Sequence, residues 1–242
     1  MRPLLIALSL LVSPVWAAEP KPEAFLPVFE LAGVSLLCEQ SLPLIQHELS
    51  DTQQAELGRV FSAEAMCLDL ASRLTKTVDQ AQLTEAEQLL SSEFAKGFSA
   101  AEREVGESLD GLADYRDQLA EKPPRASRVE LVQRLDNAAR TTDLATLLRY
   151  ETGKTRAYVL TKARGKAVDE KTLSERTKTQ EEELRKSSSE SVKSFMLYAY
   201  RYKPSDELEQ YAEIYENPAV AAILKGTVEL LPQLFAERRS KL

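Results

Sequence analysis

The stretch LGRVFSAEAMCLDLASRLTKTV, residues 57–78, decides the fold class. Leu57, Val60, Phe61, Leu68, Ala71, Leu74 and Val78 recur at three- and four-residue intervals, which places them on one side of a helix. The pattern continues outward. Phe98, Ala101, Val105, Leu112, Tyr115 and Leu119 repeat it, and so do Ala222, Ile223, Leu230, Leu234 and Phe235, with Pro232 as an expected kink. No stretch alternates with the period of two that a half-buried strand needs. The expected fold is an all-α multi-helix bundle.

Helix starts follow from the same reading. Five Ser/Thr-x-x-Glu/Gln spacings have the form of capping boxes: Ser50/Gln53, Thr84/Glu87, Ser99/Glu102, Ser127/Glu130 and Thr172/Glu175. Asn217-Pro218 fits an N-cap followed by proline in the first turn. Glu121-Lys122-Pro123-Pro124-Arg125 is the clearest break.

That break divides the charge. The whole chain of 242 residues carries a net −7. Residues 18–121 hold 7 basic and 20 acidic side chains, a net of −13, while residues 122–242 hold 23 and 18, a net of +5. Residues 122–166 alone hold 11 basic and 4 acidic side chains. An acidic half beside a basic half suggests that the two pair, within one chain or across a homodimer. Residues 83–101 also align with 204–222 at a fixed offset, which allows a pseudo-duplication into two similar helical halves. Residues 162–193, half of them charged, are expected to form a solvated helix with a flexible end at Ser187-Ser188-Ser189.

The N-terminus has an address. Arg2, the apolar run Leu4–Val12, and Val15 with Ala17 give the charge, core and small-residue site of a signal peptide covering residues 1–17. Cleavage after Ala17 removes the only tryptophan, Trp16. The mature chain is expected in the bacterial periplasm or outside the cell, without a transmembrane segment. The two cysteines, Cys38 and Cys67, are expected to form a disulfide there. The turn signal Ser50-Asp51-Thr52 lies midway between them, as in an antiparallel helical hairpin, although Pro43 opposes an unbroken first helix.

Chemical motifs are sparse. A single histidine, His47, excludes most His-based catalysis and multi-zinc sites. Gly153-Lys154-Thr155 lacks the upstream glycine and strand of a phosphate-binding loop, since Leu148 stands where the glycine is needed. Acidic pairs such as Glu102/Glu104 read as solvated helix faces. No cofactor, metal, nucleic-acid partner or catalytic residue is expected. Tyrosine is the informative residue. All eight follow residue 114, and Tyr198/Tyr202 and Tyr211/Tyr215 are spaced i,i+4, with Phe195 three residues before Tyr198. These five aromatics line either a ligand cleft or a seam between helices.

Tyr202-Lys203-Pro204-Ser205-Asp206-Glu207-Leu208, followed by Ile214-Tyr215-Glu216-Asn217-Pro218, resembles the exported bacterial domain-of-unknown-function family numbered 2059. Glu207, Leu208, Tyr215 and Pro218 match that family's helix–turn–helix motif; Ile214, Asn217 and Val220 replace its Phe, Ser and Gly. The resemblance implies an all-helical exported protein and brings no activity with it. The functional expectation is therefore a non-enzymatic protein that binds another protein or an envelope component. The alternative is a carrier of a lipid-like or aromatic ligand held near Tyr198–Tyr215.

Overall fold

The structure is a computed structural model that describes residues 19–107 and 110–242. The expected leader, residues 1–17, lies outside the described residues. A short 3₁₀ turn, Pro22–Phe25, opens into α1 (Leu26–Leu31), α2 (Val34–Gln46), α3 (Asp51–Val60), α4 (Ala63–Leu74), α5 (Gln80–Leu90) and α6 (Glu93–Glu107). There follow α7 (Asp110–Glu121), α8 (Ala126–Ala139), α9 (Thr141–Ala163), α10 (Glu170–Ala199), α11 (Ser205–Glu216) and α12 (Pro218–Arg239). The fold is an all-α multi-helix bundle, with no strand among the described residues.

The deciding stretch is helical but is two helices. The chain breaks at Phe61-Ser62, where the Ser62 hydroxyl accepts the Ala65 N–H at 3.3 Å and starts α4. Met66, Cys67, Leu70, Ala71 and Leu74 then form the buried face. Of the five expected capping boxes, only Ser50/Gln53 stands at a helix start. Thr84, Ser99, Ser127 and Thr172 lie inside helices. Asp79 and Asp169 take the cap positions instead and accept the Gln82 and Thr172 N–H groups at 2.8 and 2.7 Å. Asn217 caps α12 as expected, accepting the Ala219 N–H at 2.8 Å. Helix α12 runs without interruption through Pro232.

The two charge halves interlock. Helix α12 packs on α4, α5 and α9, and α2 packs on α9. Its apolar face, with Val220, Ile223, Leu224, Leu231, Leu234 and Phe235 buried, belongs to this common core. By length and hydropathy α12 is the one single helix among the described residues that could cross a membrane. Cys38 on α2 and Cys67 on α4 form the expected disulfide, with Cα atoms 5.9 Å apart. The hairpin that joins them carries α3 between its arms, and Pro43 sits inside α2. Closing this loop contributes about 3.6 kcal/mol in the chain-entropy model.

The internal alignment does not follow the helix boundaries. At its fixed offset the α5–α6 break, Ser91-Ser92, falls on Ala212-Glu213 inside α11. The charged segment 162–193 is likewise not one helix. Helix α9 ends at Ala163, a loop follows, and α10 begins at Glu170. Ser187, Ser188 and Ser189 are not a flexible end but lie within α10, where Arg149 of α9 donates to the Ser187 and Ser188 hydroxyls at 2.8 and 3.1 Å. The 30 residues of α10 span about 45 Å. Its first part packs on α9, and its far end meets α6, α7 and α8.

Candidate functional site

The far end of α10 gathers the aromatic residues. Helix α10 ends at Ala199, and the chain turns through residues 200–202 to Lys203, which Pro204 sterically holds out of helical geometry. Tyr202 is therefore in a turn and does not share a helical face with Tyr198, despite the i,i+4 spacing. Arg128 of α8 secures the turn. Its Nη2 donates to the carbonyls of Tyr200 and Lys203 at 2.6 and 3.0 Å, and the Tyr200 carbonyl also accepts the Lys203 N–H at 2.8 Å.

The inner side of the joint is a filled core. Phe98 of α6 stacks on Tyr211 of α11, with ring centroids 4.2 Å apart, and lies 5.4 Å from Tyr200. Tyr215 meets Tyr211 edge-on at 5.2 Å. Tyr200, Tyr211 and Tyr215 are all buried. Rings this close occupy the space that a guest would need, so Tyr211 and Tyr215 form a seam rather than line a cleft. Phe195 is half-buried and packs against the same core.

Glu102 enters this aromatic cluster from α6. The Tyr200 hydroxyl donates to its Oε1 at 2.5 Å and the Tyr211 hydroxyl at 3.2 Å; Tyr211 and Tyr215 hydroxyls are 3.2 Å apart. Burial pushes the Glu102 carboxyl above its ordinary value, against the two phenolic hydrogen bonds and Arg103, which favour the charged form. Burial and the nearby carboxyl likewise push all three phenols up. Glu102 is thus neither a cap residue nor part of a solvated pair. Its spacing of four from Phe98 put it on the buried face, a signal available in the sequence.

The outer side is different. Tyr198 is half-buried, its ring 5.2 Å from that of Tyr115 on α7. A Cβ at Gly111 would collide with the Tyr198 hydroxyl, so a larger residue there displaces the Tyr198 side chain. The Arg201 guanidinium lies 3.9 Å from the centroid of Tyr198 and 4.6 Å from that of Tyr202. Its Nη1 donates to the Tyr198 carbonyl at 2.7 Å. Tyr202 is 85% exposed. Arg116 donates through Nε to Ser194 at 3.0 Å, and Lys203 sits over the Phe98 ring at 4.8 Å. Among the described residues none of Arg116, Arg128, Arg201 and Lys203 is in an ion pair. Burial pushes the Tyr115 hydroxyl up, while Arg128 and Arg201 beside it pull it down.

Several other cations of the basic half are paired. Arg134 ties α8 to α11 through Glu216, with 2.7 Å bonds from Nε and Nη2, and through Glu209 at 3.1 Å. Arg156 and Lys162 reach Glu48 and Glu56 of the acidic half, at 3.9 and 3.8 Å. An open groove of about 600 Å³ between the α8–α9 corner and α10 holds Arg140 and Arg185, and Asp143 engages both. No group of three or more His, Cys, Asp or Glu side chains among the described residues is arranged to hold a metal ion. Comparison of the chain with known protein families, with curated proteins and with solved structures found no match.

Proposed function

We propose that this chain is a non-catalytic, exported interaction protein that meets an anionic envelope component through the turn between α10 and α11. One observation carries the reading. The Arg201 guanidinium is held between two tyrosine rings, has no carboxylate partner among the described residues, and is topped by a ring that is 85% exposed. A cation stacked in this way is preorganised, so little side-chain freedom is lost when an anion binds. Tyrosine and arginine are also the residue types enriched where interfaces concentrate their binding energy.

Other features support it. The Cys38–Cys67 bridge is compatible with an oxidising, exported compartment. The two buried carboxyls that desolvation pushes up, Glu102 and Glu151, belong to separate helix packings, and each faces protein donors. Paired acid–base chemistry needs two such groups at one opening. The matched residues of the family-like motif fit a structural role: Leu208 and Tyr215 are buried, and Pro218 opens α12.

The test is a photo-crosslinker in the native envelope. Tyr202→p-benzoylphenylalanine is expected to give a discrete adduct, and Lys178→p-benzoylphenylalanine, exposed elsewhere on α10, none. No adduct at 202, or equal adducts at both positions, would overturn the reading.

A further inference from the structure

The geometry points to an acidic polysaccharide, built from uronic-acid-type sugars, as the partner of the Tyr198–Arg201–Tyr202 stack; this rests on the interaction reading above. The face offers three things together. Tyr202 presents an open aromatic ring. Arg201 presents its guanidinium edge beside that ring, with Nη1 taken by the Tyr198 carbonyl and its other nitrogens free of protein acceptors among the described residues. Arg116, Arg128 and Lys203 add positive charge from α7, α8 and the turn itself.

A pyranose ring has two chemically distinct sides that fit this arrangement. Its axial C–H bonds carry slight positive charge and meet the negative face of an aromatic ring. A carboxylate on the same sugar then projects to the ring's edge, where it can accept two parallel N–H···O bonds from a stacked guanidinium. A bilayer surface would be met better by apolar anchors reaching between lipids, with lysines around them. Here the exposed group is a phenol lying against a guanidinium, and the cations are mostly arginines fixed to backbone carbonyls or hydroxyls. Repetition matters as well. A polymer of identical acidic sugars brings successive carboxylates past Arg201, Arg128 and Arg116, so several weak contacts add on one chain.

The test uses the mature, disulfide-bonded protein with polygalacturonate, with neutral dextran, and with phosphatidylglycerol vesicles. Binding to polygalacturonate is expected, with none to dextran, and it should weaken as salt is raised. Arg201→Ala and Tyr202→Ala should each weaken it about tenfold, and Arg201→Lys by a few-fold, because lysine keeps the charge without the planar fork. Gly111→Ala provides a variant that keeps the identities of all three stack residues. Its methyl group displaces the Tyr198 ring, and binding should fall with the stack. Thermal unfolding of each variant checks that the fold is retained.

Failure to bind polygalacturonate, or binding that all these substitutions leave unchanged, overturns the inference. Binding to the vesicles alone, lost on Arg201→Ala, overturns the sugar assignment while the crosslink at position 202 still supports an interaction face. Loss of that crosslink overturns the interaction reading itself.

Discussion

Arg239 and Arg201 have the same side chain and opposite surroundings. Arg239 ends α12 and is 1% exposed. Its Nη1 donates to Glu151 at 2.6 Å and to Thr155 at 3.0 Å, and its Nε and Nη2 clasp Glu170 at 3.0 and 2.7 Å. Lys154, also buried, contacts the same Glu170 at 2.5 Å. Arg201 stands beyond the other end of α10, between two rings and without a carboxylate. They stand at opposite ends of α10, a helix about 45 Å long. A desolvated guanidinium demands full compensation, so Arg239 is committed to holding α9, α10 and α12 together. A guanidinium at the surface demands none, so Arg201 is available to something outside the chain.

The first way to break this comparison is to remove the buried member. Arg239→Met leaves Glu151, itself 2% exposed, without its cation. The expected cost is about 3–5 kcal/mol, read as a lower urea midpoint. Most of that cost comes from the orphaned charge rather than from lost attraction. Arg239→Met combined with Glu151→Leu should therefore recover most of the loss. A double variant as unstable as the single one would show that the salt bridge's own geometry holds the three helices.

These two environments were unequally readable from the sequence. Periodicity reports which side of a helix faces inward, and that was enough for the all-α fold; proline placed the break before Arg125 and, with Asn217, the cap of α12. The matching heights of Cys38 and Cys67 also came through, although α3 inserts between them. What periodicity does not report is which distant helix supplies a partner. Tyr200 and Glu102 are 98 residues apart, and Arg239 and Glu151 are 88 apart. Nothing local links them. Capping boxes misled for a related reason. Ser and Thr inside a helix can turn back to a carbonyl four residues earlier, as Thr84 does to Gln80 at 2.9 Å, so the motif alone does not mark a start. The i,i+4 rule failed for Tyr198 and Tyr202 because the helix stops at Ala199, between them.

Glu102 sharpens the comparison, because it is a half-buried, desolvated carboxyl met by phenols rather than by a cation. Burial raises its folded-state value above the 4.5 of an ordinary glutamate. The folded chain thus holds this proton more tightly than the unfolded chain does. The stability Glu102 contributes is complete below the unfolded value and declines as pH rises through the folded one. Glu102→Gln keeps an acceptor for the Tyr200 hydroxyl and cannot ionise. It should exceed the native protein in stability at pH 8, with the difference vanishing at acidic pH, where Glu102 is protonated in both the folded and the unfolded chain. Urea midpoints across that range measure it. A variant less stable than native at pH 8 would mean that the phenols favour the carboxylate more than burial opposes it.

The smallest expected effect decides whether Arg201 is free for a partner. Tyr202→Ala uncovers no buried group, since the ring is 85% exposed, and its stability should stay within about 0.5 kcal/mol of native. Arg201→Ala loses two stacking contacts and one hydrogen bond inside its own turn, worth about 1 kcal/mol at this half-buried position. Arg128 remains to hold the carbonyls of Tyr200 and Lys203, so the end of α10 keeps its acceptors satisfied. Urea midpoints for the two single variants and the double measure both quantities. A combined loss above about 2 kcal/mol would show that the stack holds the α10–α11 joint as Arg239 holds the other end. A loss near or below 1 kcal/mol leaves a preorganised cation with no structural duty, and a residue of that kind is the one expected at a binding face.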